Sequence, residues 1–274
     1  MRRILIRTLG SLLMVILLIG IAFGVFSLIY FSTEPDTVAF PLGIIAKQAE
    51  IAKQVKIGRL VPGSADHYDV ILVLSDKAGY YAYLPKAQRF WELIKSFLTT
   101  GSMGYTDAGD PVNPLLINQL SLDYPFILIS SGVGFIGGYI ASLFKDKRFY
   151  LGNLIAILAL LTYAVVNYYS FKEIYSFVIT LALALCLLSG LLINGKHPAI
   201  RLFMMLFIAI SMGIISLNAF GLSGINYGFS SILLESYTEQ GSALKAFAGF
   251  FMAVGLLAGP FLAGILHIYS RNRD

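Results

Sequence analysis

Charged residues are absent from six long stretches of the chain, and these stretches are rich in Leu, Ile, Val, Phe and Ala. The shortest stretch has 21 residues, and a helix of about 20 residues crosses a hydrocarbon core of ~30 Å. Because the stretches are continuously apolar rather than alternating, they predict transmembrane helices and not the strands of a barrel. The fold class predicted is therefore an all-α polytopic membrane protein with six transmembrane helices. The uncharged stretches are 9–33, 124–144, 149–171, 174–195, 202–234 and 246–270.

The segment 34–123 differs from the rest of the chain because it carries ten acidic and eight basic residues, about half of all the charges. Its local patterns predict a small α+β extracytoplasmic insertion between the first and second spans. The glycine- and proline-rich end of the segment is typical of a loop. The predicted elements are a helix over 46–55, strands over 68–74 and 79–84, a helix over 86–99 with Phe90, Leu93, Ile94 and Phe97 on one face, and a loop over 101–114.

The same patterns predict the domain organisation. Residues 1–33 form a cytoplasmic cap and the first transmembrane helix, 34–123 form the extracytoplasmic domain, and 124–274 form a domain of five transmembrane helices. Residues 221–243 contain too many glycines and polar residues for a regular span. Irregular backbone at membrane depth is tolerated only beside protein or a water-filled cavity. This stretch is therefore predicted to be a re-entrant or interfacial segment.

The distribution of basic residues predicts the orientation. If the N-terminus is cytoplasmic, ten basic residues lie in cytoplasmic segments, whereas the short outer loops hold only Lys172 and Lys245. This bias follows the positive-inside rule, so we expect both termini in the cytoplasm and the protein in the cell membrane. The basic residues that raise the sequence pI to 9.2 then reflect membrane topology and do not indicate binding to nucleic acid. The ten residues are Arg2, Arg3, Arg7, Lys145, Lys147, Arg148, Lys196, Arg201, Arg271 and Arg273.

The first apolar stretch has a second interpretation, as a cleaved signal peptide behind Arg2, Arg3 and Arg7. It is longer than a typical signal-peptide core, and no Ala-x-Ala site closes it. We therefore expect it to be an uncleaved membrane anchor.

Composition limits the chemistry further. Charged residues make up 13% of the chain and the mean hydropathy is +0.78, both outside the range of an ordinary soluble domain. The single cysteine, Cys186, allows no intramolecular disulfide. The three histidines, His67, His197 and His267, are scattered, and no ionisable residue is expected in the middle of a span. The sequence therefore predicts no catalytic, metal-binding or cofactor-binding residue, no cofactor and no enzyme.

One stretch does resemble a catalytic motif, the intramembrane serine motif of rhomboid proteases. It reads Gly221-Leu222-Ser223-Gly224. The only histidine in the single span that follows is His267, which we expect at the opposite side of the membrane from Ser223. A serine–histidine dyad needs hydrogen-bond contact, so the motif is interpreted as glycines that permit close helix packing.

Several segments are similar to the permease subunits of dipeptide and oligopeptide ABC importers. Those subunits begin with an arginine-rich cap and one span, followed by an extracytoplasmic segment that ends in a Gly-x-x-Gly-Tyr-Ser step and a Pro-Val dipeptide. The most specific match here is the stretch 97–116, with a weaker match at 235–241 and a loose one at 269–273. The corresponding residues are Arg2-Arg3, Thr33-Glu34-Pro35-Asp36, Gly101-Ser102-Met103-Gly104-Tyr105-Thr106, Pro111-Val112, Glu235-Ser236-Tyr237-Thr238-Glu239-Gln240-Gly241 and Tyr269-Ser270-Arg271-Asn272-Arg273.

The resemblance implies a permease subunit that forms half of a translocation path. Its partners would be a second permease subunit, cytoplasmic ATPase subunits, an extracytoplasmic substrate-binding protein and membrane lipid. The resemblance also implies two sets of candidate site residues. The candidate ATPase-facing loop is Lys196, His197, Pro198 and Arg201, and the candidate outer-gate or binding-protein-facing residues are Tyr105, Pro111, Asn226, Tyr227 and Glu235.

The chain departs from the permease pattern in the loop 194–201, where the family carries a Glu-Ala-Ala-x-x-x-Gly coupling helix. This loop is too short for such a helix and lacks the motif. The alternative interpretation is therefore a non-catalytic accessory subunit of a larger membrane complex, with glycines as its packing surfaces. A third and weaker alternative is an intramembrane serine protease at Ser223. The packing glycines are Gly132, Gly134, Gly137 and Gly138.

Overall fold

The structure is a computed structural model, and it shows six helices of membrane-spanning length. Within the described residues, six helices are long and apolar enough to cross a membrane. This confirms the predicted number of candidate spans and the multi-pass character of the chain. The described residues are 2–35, 37–41, 44–57, 59, 70–75, 78–82, 85–144, 146–171, 173–193, 197–223, 225–234 and 241–270.

Shorter elements interrupt the succession of long helices at two places in the described part of the chain. The candidate spans are α1 (Arg2–Thr33), α4 (Val112–Leu143), α5 (Lys147–Val166, continued by a π-helical turn Asn167–Phe171), α6 (Ile174–Leu192), α7 (Pro198–Gly221) and α9 (Gly241–Ser270). The short elements are β1 (Thr37–Pro41), α2 (Ile44–Lys56), β2 (Val70–Ser75), β3 (Ala78–Ala82), α3 (Lys86–Thr100) and α8 (Phe229–Leu234).

The segment between α1 and α4 contains the two helices expected from its periodicity. Both α2 and α3 agree with the predicted ranges to within two residues. Within the described residues, three strands form an antiparallel sheet in the order β1-β3-β2, and β1 was not predicted. The strand β1 is short and ends in proline, so it lacks the alternating pattern that signals a strand.

The helix that contains the predicted second span begins before the apolar stretch that predicts it. The apolar stretch starts at residue 124, whereas α4 begins at Val112. Pro114 falls in the first turn of α4, where a missing backbone N–H costs nothing, so the proline does not block an earlier start. The predicted loop 101–114 is correspondingly shorter. It contains an isolated bridge between Tyr105 and Pro111, and the Val112 N–H donates to the Gly104 carbonyl.

The chain divides into two compact units. The first comprises residues 1–24, 119–234 and 250–274, and the second comprises 25–118 and 235–249. The second unit thus contains the predicted insertion except its last five residues, together with the adjoining ends of three of the long helices that the structure describes.

In the first unit, glycines allow helices to approach each other closely. A Cβ atom at Gly190 of α6 would collide with the backbone carbonyl of Gly138 in α4. A Cβ atom at Gly134 would likewise collide with the Cys186 side chain, and one at Gly137 would collide with the Leu183 side chain. Gly132 is the exception among the four predicted packing glycines, because open space surrounds it.

In the second unit, aromatic side chains join α1, α3 and the start of α9. The Phe26 ring lies 5.8 Å from Phe90 and 4.9 Å from Phe247, and all three side chains are buried. Phe97 also contacts Phe247, at 5.1 Å between ring centroids. The apolar face predicted for α3 therefore packs on the ends of two candidate spans.

Candidate functional site

Four charged side chains meet in the second unit, each held by a different element. Glu34 directly follows the last residue of α1, and its N–H continues the helical bonding by donating to the Tyr30 carbonyl at 2.9 Å. Arg59 lies just beyond α2, with its N–H bonded to the Gln54 carbonyl. Arg89 lies in the first turn of α3, and Asp107 lies in the turn before α4. We refer to Glu34, Arg59, Arg89 and Asp107 as the charge cluster.

The charge cluster centres on the Glu34 carboxylate. Arg59 donates from Nε to Oε1 at 2.7 Å and from Nη2 to Oε2 at 3.2 Å, while Arg89 Nη1 also donates to Oε1. The side chains of Glu34 and Arg89 are each 3% exposed, and that of Arg59 is 7% exposed. Buried charges are costly unless they are paired and hydrogen-bonded, so these pairings are what makes the burial possible.

Further bonds fix the two arginines in place. Arg59 Nη2 bonds Asp107 Oδ1 at 2.7 Å, and Arg89 Nη2 bonds the Pro35 carbonyl at 2.8 Å. The Asp107 side chain is 28% exposed, so the cluster extends from a buried centre to the surface.

An open cleft of about 170 Å³ adjoins the charge cluster. Beyond the cluster residues, its charged lining includes Lys56 and Glu92. The Lys56 ammonium donates to the Gly109 carbonyl at 2.8 Å and lies 5.2 Å from the centre of the Tyr105 ring. The cleft also carries the hydroxyl-bearing side chains Tyr30, Ser96, Ser102 and Ser242.

The cleft brings positively and negatively charged side chains close together. Three cationic side chains and three carboxylates line it. Such a surface can bind a small polar molecule that itself carries both charges, because each end finds an opposite charge and hydroxyl groups complete the hydrogen bonding.

The first unit contains a separate buried polar contact. Asp123 of α4 is 2% exposed, and its Oδ1 accepts from the Gly228 N–H at 2.9 Å and from Gln119 Nε2 at 3.0 Å. Gly228 has a φ of +74°, which favours glycine, and it precedes α8. Asp123 falls within the helix of the candidate span Val112–Leu143, 11 residues after its first residue, whereas the sequence pattern placed it just before the second span.

The stretch between α7 and α8 folds back on the end of α7. Asn218 Oδ1 accepts from the Ser230 N–H at 2.9 Å, and its carbonyl accepts from Ser230 Oγ at 2.6 Å. These bonds satisfy polar groups of a helix end and of the chain that leaves it. They account for the serines and glycines of this stretch, whose description as re-entrant or interfacial stays a prediction.

The four described residues of the predicted outer gate fall in two separate units. Tyr105 and Pro111 pair in the second unit, and Tyr105 also lines the cleft. In the first unit, the Asn226 carbonyl lies 3.5 Å from Gln119 Nε2, and the Tyr227 ring lies 5.0 Å from that of Phe126. Glu235 lies outside the described residues.

Three of the four predicted ATPase-facing residues lie at the start of α7. His197 precedes the helix, Pro198 is its first residue, and Arg201 Nη1 donates to the Ser142 carbonyl of α4 at 3.0 Å. Lys196 lies outside the described residues. Because α6 ends at Leu192 and α7 begins at Pro198, five residues connect them.

Neither a metal site nor a serine dyad occurs in the described part of the chain. No group of three or more His, Cys, Asp or Glu side chains there could hold a metal ion. Ser223 follows α7, and its buried Oγ has no hydrogen-bond partner. His267 lies in the last turn of α9, where its carbonyl accepts from Ser270 Oγ.

Sequence reasoning missed the charge cluster. The signal lies in α3, where Arg89 directly precedes the apolar residue Phe90 and occurs one turn before Leu93. A charged residue on the buried side of an amphipathic helix is almost never fully buried unless an oppositely charged group pairs with it. Nothing in the sequence, however, identifies Glu34 as that partner.

Comparisons with known proteins add no family. No family model, curated protein or solved structure matches the chain. The cleft, the helix bounds and the sequence pattern are therefore the features that bear on function.

Proposed function

We propose that the protein is a membrane-spanning permease subunit of an ABC-type peptide importer. It would form half of the translocation path with a second permease subunit, powered by separate ATPase subunits and supplied by an extracytoplasmic binding protein. The observation that carries this proposal is the cleft in the second unit, whose lining combines carboxylates with cationic side chains.

The chemistry of the cleft suits a short peptide. A free peptide has an ammonium group at one end and a carboxylate at the other, so it needs both charges in its site. The exposed Glu92 carboxylate is available to the ammonium, and the ammonium of Lys56 is available to the carboxylate. The hydroxyls of Ser96 and Ser102 can bond the peptide amide groups.

The proposal includes an orientation. Both termini would be cytoplasmic in the cell membrane, and residues 34–123 would form a small α+β insertion on the extracytoplasmic side. The positive-inside bias supports this orientation. The strand β1 before α2 and the strands β2 and β3 between α2 and α3 support the α+β description. The cleft would then open toward the binding protein.

Peptide binding can be tested directly in nanodiscs. Equilibrium dialysis of a labelled dipeptide should detect binding, and an N-acetylated dipeptide should bind less tightly. Glu92→Gln should weaken binding of the free dipeptide by up to about fivefold, since an exposed ion pair contributes about 1 kcal/mol or less. The matched control is Lys95→Gln on the same helix, a residue outside the cleft lining. Equal binding of the free and acetylated peptides, or equal effects of the two variants, would contradict the proposed site.

A second candidate function is that of a non-catalytic accessory subunit of a larger membrane complex. The specific observation in its favour is the connection of five residues between α6 and α7, which leaves no room for a coupling helix. A chain without that helix could still contribute packing surface and an outer domain to an assembly.

One experiment separates the two candidates. A photoreactive amino acid is placed at position 197 of the full chain, and the cells are irradiated. The protein is then purified in a mild detergent, and the chains associated with it are identified by mass spectrometry. The permease proposal expects an ATPase subunit and a second permease, with the ATPase cross-linked to position 197. An assembly without either chain would overturn the permease proposal and support the accessory one.

A further inference from the structure

Helix α3 presents different surfaces on opposite sides. Arg89, Leu93 and Ser96 recur at helical spacing and line the cleft. The opposite side carries Trp91 and Leu98, which are 64% and 76% exposed. Two turns separate this pair, so both residues lie on one stripe of the helix.

The aromatic contacts of α3 place this stripe beside a candidate span. Phe90 contacts Phe31 of α1 at 5.1 Å between ring centroids, and it contacts Trp91 at 5.8 Å. Phe31 is itself 41% exposed, and Leu28 on the preceding turn of α1 is 72% exposed. The exposed apolar residues of α1 and the Trp91 side chain of α3 thus lie on either side of the buried Phe90 ring.

The residue types of the stripe match the edge of a bilayer better than open water. Tryptophan is enriched at membrane–water interfaces because its ring is apolar and its indole N–H is polar. The exposed Lys95 lies between Trp91 and Leu98, and a lysine there can reach outward to the head groups while its stem covers apolar surface. Leu28 and Phe31 lie within the last turns of the candidate span Ile4–Thr33, where the helix meets the interface.

We propose that α3 is an interfacial helix whose Trp91–Leu98 stripe inserts into the lipid head-group region beside the end of α1. The occupant of this surface is the bilayer itself. The cleft then lies on the side of α3 that faces away from the lipid, and a molecule in the cleft would be held next to the membrane surface. This inference concerns the surface of α3 and holds for either candidate function.

The chain contains a single tryptophan, so its intrinsic fluorescence reports on Trp91 alone. The full chain is reconstituted in nanodiscs of phosphatidylcholine, either unlabelled or brominated near the upper or the lower end of the acyl chains. We expect a loss of Trp91 fluorescence in brominated discs, larger for bromine near the head groups than for bromine near the chain ends. Aqueous iodide should quench Trp91 less than it quenches free tryptophan.

A pair of variants provides the matched control. In a Trp91→Phe background, Leu98→Trp should restore a signal that bromolipid quenches, whereas Glu92→Trp, on the cleft side of the same turn, should give a signal that iodide quenches. Strong iodide quenching of Trp91 without bromolipid quenching would show a water-exposed stripe and overturn the proposal. Protection of Trp91 from both quenchers would show a protein partner on the stripe and would overturn it as well.

Discussion

Glu34 and Arg59 form a buried ion pair with two hydrogen bonds, although 25 residues separate them in the sequence. The pair joins the end of α1 to Arg59, three residues beyond the end of α2, and Arg89 of α3 binds the same carboxylate. One carboxylate therefore connects three elements of the second unit.

The first prediction concerns the removal of that carboxylate charge. We expect Glu34→Gln to destabilise the protein by about 3 kcal/mol, because two buried guanidinium groups lose a shared counter-charge. The change should appear as a lower midpoint of thermal unfolding in detergent, followed through the fluorescence of Trp91. Trp91 is the single tryptophan of the chain and lies on α3 in the second unit.

The control for Glu34→Gln is Asp107→Asn, which removes the other carboxylate bound to Arg59. The Asp107 side chain is 28% exposed, so water screens its interaction, and we expect a loss of about 1 kcal/mol or less. Equal midpoints for Glu34→Gln and the unmodified protein would show that the Glu34 pairings do not stabilise the second unit.

The sequence predicts the number of spans well because the absence of charge over about 20 residues is a local signal. The helix α3 is predictable for a similar reason, since Phe90, Leu93 and Phe97 repeat at helical spacing. The start of α4 is not predictable from hydropathy, because the charged residue Asp123 marks the apparent beginning of the apolar stretch. Asp123 remains inside the helix because the Gly228 N–H, 105 residues away in sequence, satisfies it.

The charge cluster cannot be predicted from one sequence either, because its contacts also join residues that are far apart in the chain. Its bonds join residues 25, 48 and 55 positions apart, and no local period relates such positions. Local patterns determine elements, whereas pairings of this range depend on how the elements pack.

The second prediction concerns Asp123. Asp123→Ala removes the acceptor for the Gly228 N–H and leaves that buried donor unsatisfied, so we expect a loss of about 1–3 kcal/mol in stability. Asp123→Asn keeps an acceptor oxygen and should lose less. Hydrogen exchange read by mass spectrometry should be fastest in the Gly228-containing peptide of the Ala variant. It should be slower in the Asn variant and slowest in the unmodified protein. Unchanged exchange in the Ala variant would contradict the contact.

The third prediction concerns the backbone at Gly228. Its φ of +74° is strained for any residue with a Cβ, and that atom would lie 3.1 Å from both the Asn218 Cα and its Oδ1. We expect Gly228→Ala to cost about 1–3 kcal/mol, seen as a lower unfolding midpoint. The control is Gly101→Ala, which has a similar φ of +71° but open space around it. If both variants lose the same stability, packing around Gly228 contributes nothing beyond the backbone strain.

The last prediction tests the close approach of α4 and α6. A Cβ at Gly190 would collide with the Gly138 carbonyl, and a backbone atom cannot move aside as a flexible side chain can. We therefore expect Gly190→Ala to force the helices apart and cost about 1–3 kcal/mol. Gly132→Ala in α4 is the matched control, because it adds the same methyl group in open space and removes a helix-interior glycine, which favours the helix by up to about 1 kcal/mol. The unfolding midpoints of the two variants should move in opposite directions, and a midpoint for Gly190→Ala at or above that of the unmodified protein would rule out the tight α4–α6 contact.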